Sequence, residues 1–262
     1  MARTIAVTNQ KGGVGKTTTS VNLAAALALS GQRVLLVDMD PQGNATVGSG
    51  VAKNDLNTTV LDVLLGEAAA ASALVTPAEA GFDVLPANGD LTAAEVELLQ
   101  ISGRERRLRS ALEGVRDRYD FILVDCPPSL NMLTVNALVA ADGVLVPLQC
   151  EYYALEGLTA LMTTIDRVRE QANPALRIDG ILRTMYDPRN NLATQVSAQL
   201  IMHFADKVYR TVIPRNVRLA EAPSHGVPVT LYDRASRGSL SYLALASEML
   251  HRYRREPQAQ PA

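Results

Sequence analysis

The sequence predicts an α/β fold: a single doubly wound domain whose mostly parallel sheet carries helices on both faces. Short apolar runs rich in Val, Ile and Leu alternate with longer stretches of helical period, the pattern of parallel strands covered on both sides. A turn with three glycines in four residues joins the first apolar run to the first helix, a tight backbone-lined bend between strand and helix. With 262 residues, 47% of them hydrophobic and 20% charged, the chain can build one full core.

In chain order, the strand patterns cover residues 4–8, 33–37, 82–85, 121–124, 143–148, 178–185 and 208–213. Between them, helical patterns cover 16–30, 104–117, 130–140, 155–172, 192–204 and 239–254. Two stretches interrupt the alternation. Residues 48–80 are Ala-rich around a short helix at 59–65, and 90–102 hold another short helix; both read as excursions on one sheet. The domain therefore spans 1–255, and the Pro-, Gln- and Ala-rich residues 256–262 are expected to fray.

The formal net charge of −2 hides an asymmetry. Residues 1–182 carry 14 Lys and Arg against 21 Asp and Glu, whereas 183–255 carry 11 against 5. The basic end is where a polyanion would bind, although such an excess also marks ordinary solvated surface. Cys126 and Cys150 lie far apart, each in an apolar stretch, as reduced and buried thiols do in a reducing compartment. Met1-Ala2-Arg3-Thr4-Ile5 leads directly into a strand pattern with no signal-peptide core, and no apolar run approaches the roughly 20 residues that span a bilayer. A cytoplasmic protein is expected.

The chemistry begins at Asn9-Gln10-Lys11-Gly12-Gly13-Val14-Gly15-Lys16-Thr17-Thr18. In the standard phosphate loop, G-x-x-x-x-G-K-[ST], a glycine stands five residues before the Gly-Lys pair; here that position is Gln10. The loop is a variant, with Lys11 and the Gly12-Gly13 pair added. Its glycines let backbone N–H groups turn toward phosphate oxygens, and the helix N-terminus behind them adds partial positive charge. Lys16 is placed to neutralise the β and γ phosphates of ATP, and the Thr17 hydroxyl to bind Mg²⁺.

Two acidic positions follow, both at strand C-terminal ends, where open α/β sheets bind ligands. Asp125 ends Phe121-Ile122-Leu123-Val124 and is similar to a Walker-B aspartate, which holds Mg²⁺ through water. Asp38 and Asp40 end the second strand. A carboxylate there can orient an attacking water, though Asp40 before Pro41 also suits a plain solvated turn.

Lys11-Gly-Gly-Val-Gly-Lys-Thr-Thr18, Asp38-Met-Asp-Pro-Gln-Gly-Asn44, Asp125-Cys-Pro-Pro-Ser129, Glu151 with Leu155-Glu-Gly157, Thr184-Met-Tyr-Asp-Pro-Arg189 and Ile213-Pro-Arg-Asn-Val-Arg218 together resemble the ParA/Soj family of partitioning ATPases, within the deviant Walker-A group that includes MinD. The resemblance covers nearly the whole chain. It implies a homodimer closed by ATP, in which Lys11 reaches the phosphates of the other subunit. It also implies that Lys16 and Thr17 serve phosphate and Mg²⁺, that Gly12, Gly13, Val14, Gly15 and Thr18 line the nucleotide, and that Asp40 positions water. Asp125 belongs to a second switch, Glu151 approaches the ribose or the partner subunit, and Met185, Pro214 and Asn216 border the adenine. By the same resemblance Arg189 and Arg218 contact double-stranded DNA without sequence preference, hydrolysis answers to a DNA-bound ParB/Spo0J-type adaptor, and the protein associates with the nucleoid. Arg218 has an alternative partner in Glu221, three residues on.

Three competing readings remain. A ParA-like ATPase that positions protein cargo would use the same cycle. A MinD-like membrane protein would need the apolar face of the last helix, Leu240, Leu243, Leu245, Met249 and Leu250, which is better suited to packing on the sheet. No stable membrane association is expected. A metal-cluster carrier would need cysteines placed to bridge subunits, and neither Cys126 nor Cys150 is so placed.

Overall fold

The computed structural model describes residues 2–255; the tail, 256–262, lies outside them. Seven strands, β1 (Arg3–Val7), β2 (Val34–Asp38), β3 (Asp83–Leu85), β4 (Phe121–Asp125), β5 (Gly143–Gln149), β6 (Arg177–Tyr186) and β7 (Val208–Pro214), form one sheet in the order β3-β2-β4-β1-β5-β6-β7. Every pairing between them is parallel. Each sequence-predicted strand is present with its ends shifted by at most one residue.

Strand side chains alternate between two cores. Ala6, Leu35, Val37, Ile122, Val124, Val144 and Val146 face one, and Ile5, Val7, Leu36, Leu123 and Leu145 face the other. On the first face the cover includes α3 (Val60–Leu65), α6 (Arg107–Glu113), α7 (Met132–Ala140), α8 (Ala154–Gln171) and α9 (Asn191–Phe204), together with α4 (Ala70–Ala73) and α5 (Ala94–Glu97). On the second lie α1 (Lys16–Leu29), α2 (Asn44–Gly48), α10 (Val217–Glu221), α11 (Val229–Tyr232) and α12 (Arg237–Arg255).

Three readings need correction. The single helix expected over 104–117 is a 3₁₀ turn at Arg104–Arg106, then α6, then a second 3₁₀ turn at Arg116–Arg118. It breaks after Gly114, which offers no side chain to hold a helix, because Val115 and Tyr119 turn into the core. The helix expected within 90–102 is only one α turn, α5, between 3₁₀ segments. The apolar face of α12 is also shifted: Tyr242, Leu245, Ala246 and Met249 are buried while Leu240 is 54% exposed. The face that a membrane would need is spent on α1 and β7.

Asp179 on β6 joins the two ends of the fold. Its buried carboxylate accepts hydrogen bonds from Arg3 on β1 (2.7 Å), Arg177 (3.3 Å) and the Tyr253 hydroxyl on α12 (2.7 Å). Gly143 makes room for it, since a Cβ there would lie 1.9 Å from the carboxylate. Removing the acid takes a shared acceptor from Arg3, Arg177 and the Tyr253 hydroxyl. Asp179→Ala is expected to lower the unfolding free energy in urea by about 3 kcal/mol, as breaking a buried pair does; a loss near zero would show that the clamp contributes nothing.

Candidate functional site

The strand order puts β1 between β4 and β5, so the chain leaves β1 for β2 on one side and later crosses to β5 on the other. Open sheets bind ligands at such a reversal, beyond the strand C-termini. Here the ends of β1, β2 and β4 are level: Asp125 is the register partner of both Val7 and Asp38.

The loop between β1 and α1 is shaped by glycine. Gly13 and Gly15 have φ of +72° and +87°, which other residues adopt only under strain, and a Cβ on Gly12 or Gly13 would meet nothing within 4 Å. The loop thus leaves open space beside its glycines, as a backbone cradle for phosphate requires. Neighbouring strands pin it. Asn9 donates to the Pro147 carbonyl (2.8 Å) and accepts from the Lys11 N–H (3.0 Å), and Thr184 Oγ1 donates to the Val14 carbonyl (2.8 Å). Next to Thr184, Met185 has a φ of +49° and lies against Gly15.

The two loop lysines point in different directions. Lys16 is buried, and its Nζ donates to the Lys11 carbonyl (3.1 Å). Lys11 points outward and pairs with the Glu151 carboxylate of the same chain, both side chains 45% exposed. Sequence reasoning placed Glu151 near ribose or a second subunit; in this structure it holds Lys11.

At the base of the cradle, Asp125 accepts from Thr17 Oγ1 (2.7 Å) and Ser20 Oγ (2.8 Å). Asp38 accepts from the Thr46 N–H and hydroxyl, both 2.8 Å, and from the Asp40 N–H (3.1 Å). Asp40, itself 9% exposed, accepts from the Gln42 N–H. Burial raises the pKa of both Asp38 and Asp125, with Asp40 adding to the first and Asp38 to the second. Burial also lowers that of Lys16, against the pull of Asp125 and Asp40. The site is short of positive charge. A hard divalent cation fits this donor set: one carboxylate and one hydroxyl touching each other beneath the cradle suit Mg²⁺, which takes few protein ligands and keeps waters or phosphate oxygens. No group of three or more His, Cys, Asp or Glu able to hold a metal exists among the described residues.

Met185 precedes Tyr186, the register partner of Pro214, and Asn216 caps α10, its side chain accepting from the Arg218 N–H. Met185 and Pro214 therefore sit in the last residues of β6 and β7, with Asn216 just past β7, and Met185 lies against the loop at Gly15. None lines the cavity of about 420 Å³ beside Thr17 and Thr18, bounded by Asn44, Val47 and the turn around Pro223.

Of the two arginines singled out, Arg189 is 88% exposed and bonded to Asp187. Arg218 pairs with Glu221 (2.8 Å) and with Asp233 (3.3 Å). Sequence reasoning missed Arg215, Arg234 and Arg237, exposed on the same chain segment with no ion-pair partner among the described residues. It also missed Ser20, whose spacing of four from Lys16 along α1 was the available signal.

A family model described as an AAA domain matches residues 2–178. The chain is 56% identical to the chromosome partitioning protein ParA of Caulobacter vibrioides over 99% of this chain and 98% of that one. It is 55% identical to the sporulation initiation inhibitor protein Soj of Bacillus subtilis, over 95% and 98%. A solved structure described as cobyrinic acid a,c-diamide synthase from Mycobacterium smegmatis, with bound ADP and magnesium, superposes with a TM-score of 0.86 at 39% identity, covering 98% of both chains.

Because Asp38 and Asp125 bind protons more tightly folded than unfolded, their contribution to stability is fully present below the unfolded value near 4 and is lost as pH rises through the raised values. Asp125→Asn should therefore raise the melting temperature of the nucleotide-free protein at pH 8 by about 2–4 °C, roughly what 1 kcal/mol is worth in a chain of this size. At pH 5 the gain should be smaller, because less of the contribution has been lost there. An equal gain at both pH values would assign the effect to packing.

Proposed function

We infer the function from one premise: the chain belongs to the ParA/Soj family of chromosome-partitioning ATPases, whose Caulobacter and Bacillus members share more than half its residues over nearly its full length. On that premise it is a Mg²⁺-dependent ATPase that closes into a nucleotide-sandwich dimer when ATP binds. The dimer binds DNA without sequence preference, and hydrolysis under a ParB/Spo0J-type partner releases it, so that chromosome or plasmid DNA is segregated.

The observation that carries this reading is the division between the lysines. Lys16 already faces into its own cradle, where it can neutralise the β and γ phosphates. Lys11 faces out, half-exposed, so its cation is available to a triphosphate held by a second copy. Tyr152 and Tyr153 stand beside Glu151, 75% and 68% exposed, and pack edge to face, large apolar area of the kind that subunit interfaces bury.

The residues then divide the chemistry. Backbone N–H groups of Gly12, Gly13, Val14 and Gly15 donate to phosphate oxygens, with Thr18 at the same helix N-terminus. Thr17 and Asp125 would hold Mg²⁺, and the cation would supply charge stabilisation at the transferred phosphoryl group. Asp40 orients the attacking water. Met185, Pro214 and Asn216 border the adenine. A γ-phosphate competes with Glu151 for Lys11, which frees Glu151 to approach the ribose or the partner subunit. Intrinsic turnover is slow because a carboxylate such as Asp40 is a weak base near pH 7.

DNA contact falls to Arg189 and Arg218, with Arg215, Arg234 and Arg237 adding exposed cations on the same segment. The ion pairs of Arg189 and Arg218 are exposed, so exchanging a carboxylate for a phosphate there costs little. The mycobacterial structure of a cobyrinic acid a,c-diamide synthase holds ADP and magnesium, which supports a nucleotide- and Mg²⁺-binding reading of this chain, and a DNA-binding test separates the two activities.

The test is a mobility shift with ATP, ADP or no nucleotide across a salt series. Binding is expected with ATP alone, with log K falling against log salt at a slope of at least about 3 to 4, from two arginines on each of two subunits. Nucleotide-independent binding, or none, would defeat the reading. In the same assay Asp40→Ala should stay trapped on DNA with ATP unhydrolysed, and normal turnover in that variant would remove Asp40 from its role. Arg189→Glu should lose DNA yet keep the ATP-dependent dimer in light scattering; retained DNA binding would move the contact surface elsewhere.

A further inference from the structure

The turn after β2 that carries Asp40 is held by a side chain from outside it. Asp40 accepts the Gln42 N–H on its carboxylate (3.0 Å) and the Gly43 N–H on its carbonyl (2.9 Å), so two consecutive amides close the turn on one residue. From the strand end, Asp38 takes the Asp40 N–H (3.1 Å). The Gln42 carbonyl is taken by neither aspartate. It accepts from the ammonium of Lys53 (2.7 Å), eleven residues further along the chain.

That carbonyl and the Gly43 N–H belong to one planar peptide group. Lys53 therefore fixes the peptide at its oxygen while Asp40 holds it at its hydrogen. A cationic donor on the oxygen also polarises the amide and strengthens the bond that its N–H gives. Gln42 is thus held at both ends, N–H to the Asp40 carboxylate and carbonyl to Lys53, and the carboxylate is held with it.

Packing leaves the turn little room to settle otherwise. Gly43 has a φ of +63°, and a Cβ there would lie 2.7 Å from the Ala87 carbonyl and 3.0 Å from Lys53 Cδ. The lysine stem therefore lies close against the glycine, with Ala87 also in contact. Ala87 in turn donates its N–H to Thr46 Oγ1 (2.9 Å), which donates to Asp38 (2.8 Å). These other supports are backbone or fully buried groups, whereas Lys53 is half-buried, at the start of the short 3₁₀ turn Lys53–Asp55. Its ammonium can be removed without opening the core.

A carboxylate that orients an attacking water has to be fixed in distance and angle, because small displacements cost rate steeply. We propose that Lys53 is a positioning residue for hydrolysis: its ammonium, acting through the Gln42–Gly43 peptide, sets the geometry of Asp40. The proposal rests on the role of Asp40 as read above.

The test measures two quantities in Lys53→Met, which keeps the stem and drops the charge. One is the rate of ATP hydrolysis in a single turnover with protein in excess; the other is the dissociation constant of a slowly hydrolysed ATP analogue. The rate is expected to fall about fivefold or more, the effect of losing one charge-assisted hydrogen bond, while the affinity stays within about twofold. Lys53→Arg, which keeps a cation, should recover at least about half of the parent rate. A parent-like rate in Lys53→Met overturns the positioning role. So does an equal loss in hydrolysis and analogue binding, which would make Lys53 a support of the fold around the whole site, and so does an equal loss in the Met and Arg variants, which would take the role away from the charge. Normal turnover in Asp40→Ala, measured alongside, removes the premise and the proposal with it, a failure distinct from a parent-like Lys53→Met beside an inactive Asp40→Ala.

Discussion

Two aspartates side by side at the end of a parallel sheet govern the rest of this site. Asp38 and Asp125 are register partners on β2 and β4, both fully buried, and burial opposes the charged form of each, with Asp40 adding to it at Asp38 and Asp38 adding to it at Asp125. A sheet alone does not hold such a pair. What offsets it is assembled from the chain's first helix: the Thr17 and Ser20 hydroxyls on Asp125 and the ammonium of Lys16 above. The phosphate cradle is therefore tied to the acidic strand ends by electrostatics as well as by connectivity. Replacing either partner alters the other.

A second theme is where charge is held firmly and where loosely. At Asp179, three donors converge on a carboxylate sealed from water, and the arrangement fastens sheet to last helix. The pairs on the outer surfaces are different in kind. Lys11 with Glu151, Arg189 with Asp187 and Arg218 with Glu221 are all substantially exposed, and ion pairs in water are worth little. They keep the nucleotide-free surface neutral without committing its cations. Arg183 shows a third use: its guanidinium takes the Tyr209 and Arg210 carbonyls where the β6–β7 ladder slips out of register.

The strands were legible because residues buried on both faces leave continuous apolar runs, and the cradle was legible because its glycines and lysines are consecutive. The contact of Lys11 with Glu151 was not, since 140 residues separate them and nothing local marks which way Lys11 turns. Helix 104–117 misread for a related reason. Its pattern is helical, but Val115 and Tyr119 gain more by entering the core than by continuing the turn. The short helices α2, α10 and α11 carry too few residues for a period to register, and they form because α1 and α12 offer them a surface. The left-handed Met185 could not be anticipated, because no glycine or asparagine announces it.

The clamp at Asp179 has a practical geometric consequence. Arg3 and Tyr253 meet on one side chain, so the first strand's beginning and the last helix's final turns are neighbours. β1 must run its five residues, about 17 Å of strand, before it reaches the phosphate loop. A fluorophore or affinity handle attached near either of these residues thus sits at the opposite end of the strands from the phosphate loop. It would follow the whole molecule through the cell while leaving the chemistry untouched.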